Sequence, residues 1–196
     1  MGRLLDFSER IILILLFAAF ANAILRNPHS IGLLLVATEA MSVFFVIFRK
    51  RTTDVSTIPA DWFFALAGTM LPLLVRPGDL QLIPGPASAT LMVMGALVSI
   101  AAKLSLNKRF GLAPANRGVQ GGWAYSIVRH PMYAGYFLVQ LGFVLANASV
   151  WNIGLYLLAW GAQVARMLRE EKWLMTDASY RDYSAKVRHR IIPGVF

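Results

Sequence analysis

Residues 133–168 read YAGYFLVQLGFVLANASVWNIGLYLLAWGAQVARML. Two apolar runs, Tyr133 to Ala148 and Val150 to Leu168, meet at Asn147-Ala148-Ser149. So short a connection forces antiparallel neighbours, and the stretch predicts a helical hairpin. Each run approaches the roughly 17 to 25 apolar residues that cross a bilayer as a helix.

Working outward toward the N-terminus, four more stretches have this character: Glu9 to Leu25, Ile31 to Phe48, Ala60 to Val75 and Ala87 to Leu106. Asn27-Pro28, Arg76-Pro77-Gly78 and Pro84-Gly85-Pro86 separate them with turn chemistry. The chain is 57% hydrophobic and 15% charged, with a mean hydropathy of +0.58. A soluble fold with so few charges would have little polar surface to offer water. The expected fold is therefore all-α, an integral membrane bundle of about six transmembrane helices whose last two form the hairpin. Gly135, Gly142, Gly154 and Gly161 recur in that hairpin. They either allow close helix approach or reflect how common glycine is in membrane helices.

The net charge is +9. In a soluble chain this would raise nucleic-acid binding, but here the basic residues lie between apolar runs and point to topology and anionic membrane lipids, with no nucleic-acid partner. With the N-terminus in the cytoplasm, 17 of 19 Lys and Arg fall on the inner side, leaving Arg26 and Arg76 outside. The positive-inside rule then predicts a multi-pass protein with both termini cytoplasmic. Arg3 and Arg10 before Ile11 to Leu25 have the look of a signal peptide, but Arg26-Asn27-Pro28 follows where a small-residue cleavage site would stand. The absence of cysteine removes disulfides, thiolate metal sites and cysteine nucleophiles, and leaves the redox compartment unread. No metal site is expected.

Two polar clusters flank the hairpin. GGWAYSIVRHPMYAGY, residues 121–136, places Arg129-His130-Pro131 at the entrance of an apolar helix, with Pro131 in the first turn, where its missing N–H costs nothing. At the far end, Arg166 and Glu170 are four residues apart and share a helix face, with Glu171 adjacent and Tyr180 and Tyr183 beyond. A snorkelling arginine, an aromatic belt and an exposed ion pair account for much of this without any activity. His130 before proline is what an aromatic belt leaves unexplained. Both clusters fall on the predicted cytoplasmic side, where a soluble cofactor and a lipid-borne acceptor can meet.

RHPMYAGY, then after the hairpin R-x-x-x-E-E-x-x-L and Y-x-x-Y, resembles the isoprenylcysteine carboxyl methyltransferase family and its relatives, the phospholipid methyltransferases, over roughly residues 107–193. The resemblance implies a division into four N-terminal spans, 1–106, and a methyltransferase region, 107–196. It implies S-adenosylmethionine as methyl donor, with S-adenosylhomocysteine as product, bound at the cytoplasmic end of the hairpin. By position it puts Arg117, Gly118, Val119, Gln120, Tyr125, His130, Pro131, Met132, Tyr133 and Glu170 around the donor, and Arg166 as the catalytic residue facing the acceptor. The family's Gly-Pro-Tyr is Trp123-Ala124-Tyr125 here.

The chemistry suits those roles. A carboxylate such as Glu170 accepts from ribose hydroxyls, tyrosine rings pack near a sulfonium, and Arg166 can hold a carboxylate or phosphate bidentately. The first expectation is a lipophilic carboxylate acceptor, as in isoprenylcysteine O-methylation; the alternative is a phosphatidylethanolamine-type amine. A membrane reductase using NADPH, with Lys108-Arg109 on the 2′-phosphate, is a further possibility, as is a non-enzymatic scaffold. For the latter, Glu39, Gln140 and Gln163 are sparse candidates for a polar path.

Overall fold

The computed structural model describes residues 2–26, 36, 39–40, 43–48, 55–78, 80–106 and 123–195. Every regular element among them is helical: α1 (Gly2–Arg26), a helical segment over 43–48, α2 (Pro59–Met70), α3 (Gly85–Leu106), α4 (Pro131–Ala146), α5 (Val150–Leu174) and α6 (Ala178–Lys186). Short 3₁₀ turns at Leu71–Leu74 and Trp123–Ser126 complete the set. The all-α expectation holds for the described residues, with altered boundaries. The break at Asn27-Pro28 and most of the second apolar stretch lie outside those residues.

The polarity of the bundle is reversed from that of a water-soluble domain. Glu9 and Lys103 have no exposed surface, and Asp6, Asp61 and Glu171 are buried. Leu15, Phe63, Leu97, Leu157 and Leu158 are each more than half exposed. Apolar faces of this extent lose free energy in water and suit hydrocarbon surroundings, where charges turn inward and pair. Among the described residues one helix, α3, is long and apolar enough to cross a membrane, and two shorter apolar segments, Pro59–Leu74 and Pro131–Ala146, accompany it. α5 has the length, but the buried Asn152, Gln163 and Arg166 lower its hydropathy.

The third apolar stretch is not one regular helix. Pro72 has no N–H to donate to Gly68, so α2 gives way to a 3₁₀ turn at Leu71. The Gly68 carbonyl is instead met by Gln163 of α5, whose Nε2 donates to it at 3.2 Å. A polar residue that looks costly in an apolar helix thus satisfies a backbone group released by proline on its neighbour.

α3 and α4 form the most extensive helix pair. A Cβ on Gly95 would stand 2.6 Å from the Gly135 carbonyl oxygen, one on Gly135 would meet Ser99, and one on Gly142 would lie 2.7 Å from Met92 Cγ. Close approach is therefore what Gly135 and Gly142 provide. Gly154 and Gly161 have open space beyond them, so composition accounts for that pair.

The hairpin turns where expected. Ser149 caps α5 by accepting from the Asn152 N–H at 3.1 Å. The buried Asn152 donates to the carbonyls of Asn147 (2.7 Å) and Arg76 (2.8 Å), pinning the preceding loop to the turn. α4 and α5 pack more on α3 and α2, respectively, than on each other.

Candidate active site

The two polar clusters meet. His130 precedes Pro131 at the start of α4, and Glu170 and Glu171 lie in the last turns of α5. His130 Nε2 is 3.0 Å from Glu171 Oε1. Beside an ionised carboxylate, which only accepts, that nitrogen carries the proton. Arg129 Nε lies 3.0 Å from the same oxygen as an ion pair, though its N–H is not aligned as a hydrogen bond. Arg190 Nε donates to Glu171 Oε2 at 2.9 Å. Burial opposes ionisation of Glu171, but the bonds from His130 and Arg190 and the charge of Arg129 prevail and hold its carboxyl below the usual range.

The C-terminal segment is tied down by backbone as well. The N–H groups of Arg129 and His130 donate to the carbonyls of His189 (2.9 Å) and Arg190 (2.8 Å). Tyr183 of α6 donates its hydroxyl to the Tyr125 carbonyl at 2.7 Å. Burial pushes the Tyr183 hydroxyl up to about 12 and, with Glu170 nearby, that of Tyr125 well above its ordinary value, so both stay neutral donors. The tail after α5 is therefore wrapped back over the entrance of α4.

Glu170 has a different partner. It is half-buried, and Tyr133 donates its hydroxyl to Glu170 Oε2 at 3.4 Å. Over the Tyr133 ring lies Arg166, its Cζ 5.6 Å from the ring centroid, a cation–π contact. Tyr133 and Tyr136 stand edge to face at 6.5 Å. Lys103 Nζ is 5.2 Å from the Tyr136 ring and pairs with Glu39 at 3.2 Å.

Behind the tyrosines is a cavity of about 200 Å³. Its apolar wall includes Leu13, Leu16, Phe17 and Phe20 of α1, and its polar lining includes Glu39, Tyr133, Tyr136 and Arg166. Among the described residues no cluster of His, Cys, Asp or Glu has the makings of a metal site.

Of the residues singled out from sequence, Tyr125, His130, Pro131, Met132, Tyr133 and Arg166 are all buried and gather with Glu170 around the start of α4 and the end of α5. Arg117, Gly118, Val119, Gln120, Lys108 and Arg109 lie outside the described residues. Sequence reasoning did not select Glu171 as the hub where His130, Arg129 and Arg190 converge, nor Arg190, Tyr136 and the Lys103–Glu39 pair. Lys103 was counted among the inner-surface charges, yet it is wholly buried in α3. A signal was available, since Lys103 is the single charge in Ala87 to Leu106.

A helical bundle with outward apolar faces, carrying a carboxylate, tyrosines and an arginine over a lipophilic cavity, suits a membrane-associated protein that meets lipids. A sequence model of the phospholipid methyltransferase family matches residues 87–182. The chain belongs to that family, within the membrane methyltransferase group that also holds the isoprenylcysteine carboxyl methyltransferases, and is a methyltransferase. The matched span takes in α3, the hairpin and most of α6. No curated protein matches the chain.

Proposed function

We propose that the protein transfers a methyl group from S-adenosylmethionine to the amino group of a membrane phospholipid. The observation that carries this reading is the position of Tyr133, whose hydroxyl meets Glu170 while its ring carries Arg166 at the cavity. One tyrosine thus touches both a carboxylate fit for a nucleoside ribose and a guanidinium fit for a phosphodiester.

The residues present suit the donor. Glu170 offers acceptor oxygens for hydroxyls, and Tyr125 and Tyr133 offer neutral aromatic surface for adenine or a sulfonium. Arg117, Gly118, Val119 and Gln120 complete the proposed binding set, with His130, Pro131 and Met132. When bound, the donor supplies a methyl group on positively charged sulfur. The protein's part is alignment and exclusion of water, while the amine gives up one proton to its surroundings, takes the methyl group on its freed lone pair and leaves S-adenosylhomocysteine behind. The buried helix start at His130-Pro131 fixes Tyr133, while Glu171 and the tail hold that start in place. Arg166 orients the acceptor by its phosphate.

The family match favours the phospholipid amine over the carboxylate that the motif resemblance put first. It also favours a methyltransferase over an NADPH reductase or a scaffold. The reading includes six spans with both termini and the site on the cytoplasmic side, supported by the distribution of basic residues and the outward apolar faces. It keeps residues 1–106 as the N-terminal helices and 107–196 as the catalytic region. Titration of the detergent-purified chain with S-adenosylmethionine is the test. Wild type is expected to bind and Glu170→Ala to bind about tenfold or more weakly, as for loss of charge-assisted hydrogen bonds; no binding by wild type overturns the reading.

A further inference from the structure

Two amides on the cavity wall have donors that the protein leaves over. Gln140 of α4 and Gln163 of α5 are both buried, and both line the cavity. Gln140 Oε1 accepts from the Trp160 indole at 2.8 Å. An indole N–H only donates, so this contact fixes which way the amide points. It leaves both N–H bonds of Gln140 Nε2 without a partner among the described residues. Gln163 Nε2 gives one N–H to the Gly68 carbonyl at 3.2 Å and has one more. A buried polar group without a partner is costly, and three such N–H bonds on one lipophilic cavity point to a ligand that accepts.

The two amides lie at one depth. Gln140 follows Tyr133 by seven residues on α4, and Gln163 precedes Glu170 by seven on the antiparallel α5. Seven residues make two helical turns, about 10.5 Å along the axis, and return to the same face. Arg166 stands between Gln163 and Glu170 on that face. A diacyl phospholipid has its polar groups in the matching order. With its amine at Glu170 and Tyr133, its phosphate comes next, at the level of Arg166. Its ester carbonyls lie about nine bonds from the nitrogen, ~11 Å at the ~1.2 Å per bond of an extended chain. A carbonyl has lone pairs and no hydrogen to give, the complement of a bare N–H. Beyond it the lipid is hydrocarbon, as is the wall of Leu13, Leu16, Phe17 and Phe20.

We propose that Gln140 and Gln163 form a second binding point for the acceptor, donating to the ester carbonyls of its glycerol backbone, so that the cavity reads the acyl linkage as well as the headgroup. This rests on the phospholipid reading above and adds the residues that set the acceptor's depth. With the carbonyls held two turns below Glu170, the amine is delivered to the methyl donor.

The test is equilibrium binding of two short-chain phosphatidylethanolamines to the full-length chain in detergent. One has ester links and the other ether links, with the same headgroup and chain length. Wild type is expected to bind the diester about 3- to 10-fold more tightly, the scale of one or two net hydrogen bonds. Gln140→Met alone would strand the Trp160 N–H, so Gln140→Met/Trp160→Phe removes both groups. Gln163→Leu/Pro72→Ala removes the Gln163 donor while restoring a backbone N–H for the Gly68 carbonyl. Each double variant should cut the ester preference by about twofold or more. A purely structural role for the amides would weaken both lipids alike and leave their ratio unchanged. Equal affinities in wild type, or the wild-type ratio in either double variant, overturns the proposal and leaves the phospholipid reading standing. Failure of wild type to bind either lipid overturns that reading and the proposal with it.

Discussion

Glu171 and His130, 41 residues apart in the chain, meet at 3.0 Å and join the end of α5 to the start of α4. Arg129 and Arg190 converge on the same carboxylate, while the neighbouring Glu170 faces Tyr133. Adjacent glutamates thus have separate tasks, and substitution should separate them. Glu171→Ala leaves cationic groups without their shared partner and should cost about 3 kcal/mol of unfolding free energy, the low end for a broken buried pair, because Arg190 is about a third exposed. Glu170→Ala should cost about 1 kcal/mol or less. Denaturant unfolding of both variants in detergent checks the contrast, and equal losses would contradict it.

The Glu171 cluster also sets an acid limit. Its carboxyl is held below the ordinary range, so its contribution to stability is complete above the unfolded value, about 4.3 for glutamate. The contribution fades as pH falls through the lower, folded value. Wild type should therefore lose stability toward low pH more steeply than Glu171→Gln. Thermal unfolding of the two proteins across pH 3 to about 6 gives the comparison; parallel curves would remove Glu171 as the source.

Close packing of α3 on α4 predicts a division among the glycines. Gly135→Val would drive its Cβ into Ser99 and the Gly95 carbonyl, both on α3, at a cost of about 3 kcal/mol, the upper end for overpacking. Gly154→Ala and Gly161→Ala meet open space, and helix propensity should make each neutral or stabilising by about 0.5 to 1 kcal/mol. Melting temperatures of the three variants decide it. A destabilised Gly161→Ala would show that a partner covers that face.

At Gly68 one carbonyl links two substitutions. Gln163→Leu removes its donor and should cost about 1 to 3 kcal/mol for an unsatisfied buried group. Pro72→Ala restores the N–H that a regular helix would direct at that carbonyl, and should suppress most of the Gln163→Leu defect. A double-mutant cycle on unfolding free energy measures this coupling, and simple additivity would contradict it.

Much of this architecture is legible along the chain because its causes are local. Apolar runs, the Asn147-Ala148-Ser149 turn and the Pro84-Gly85-Pro86 break each announce themselves within a few residues, and the hairpin turns at the expected place. Spacing likewise brings Arg166, Glu170 and Tyr133 to one end of the bundle. What stays hidden depends on pairing across distance. Nothing in one sequence says that Lys103 meets Glu39, 64 residues away, or that Gln163 answers Pro72. The choice between Glu170 and Glu171 turns on one residue's rotation about a helix, and that phase is set by what packs on α5. Gly135 and Gly161 have the same chemistry in the sequence, but only the first faces a neighbouring backbone.

Methyl transfer to lipid is the most direct measure of the central claim. The purified chain is incubated with radiolabelled S-adenosylmethionine and phosphatidylethanolamine, and the lipid fraction is treated with base under conditions that cleave methyl esters. The account predicts label retained in the headgroup as N-methyl lipid, lost in Glu170→Ala and in Arg166→Gln. Label released as a methyl ester, or none in lipid despite donor binding, would contradict it.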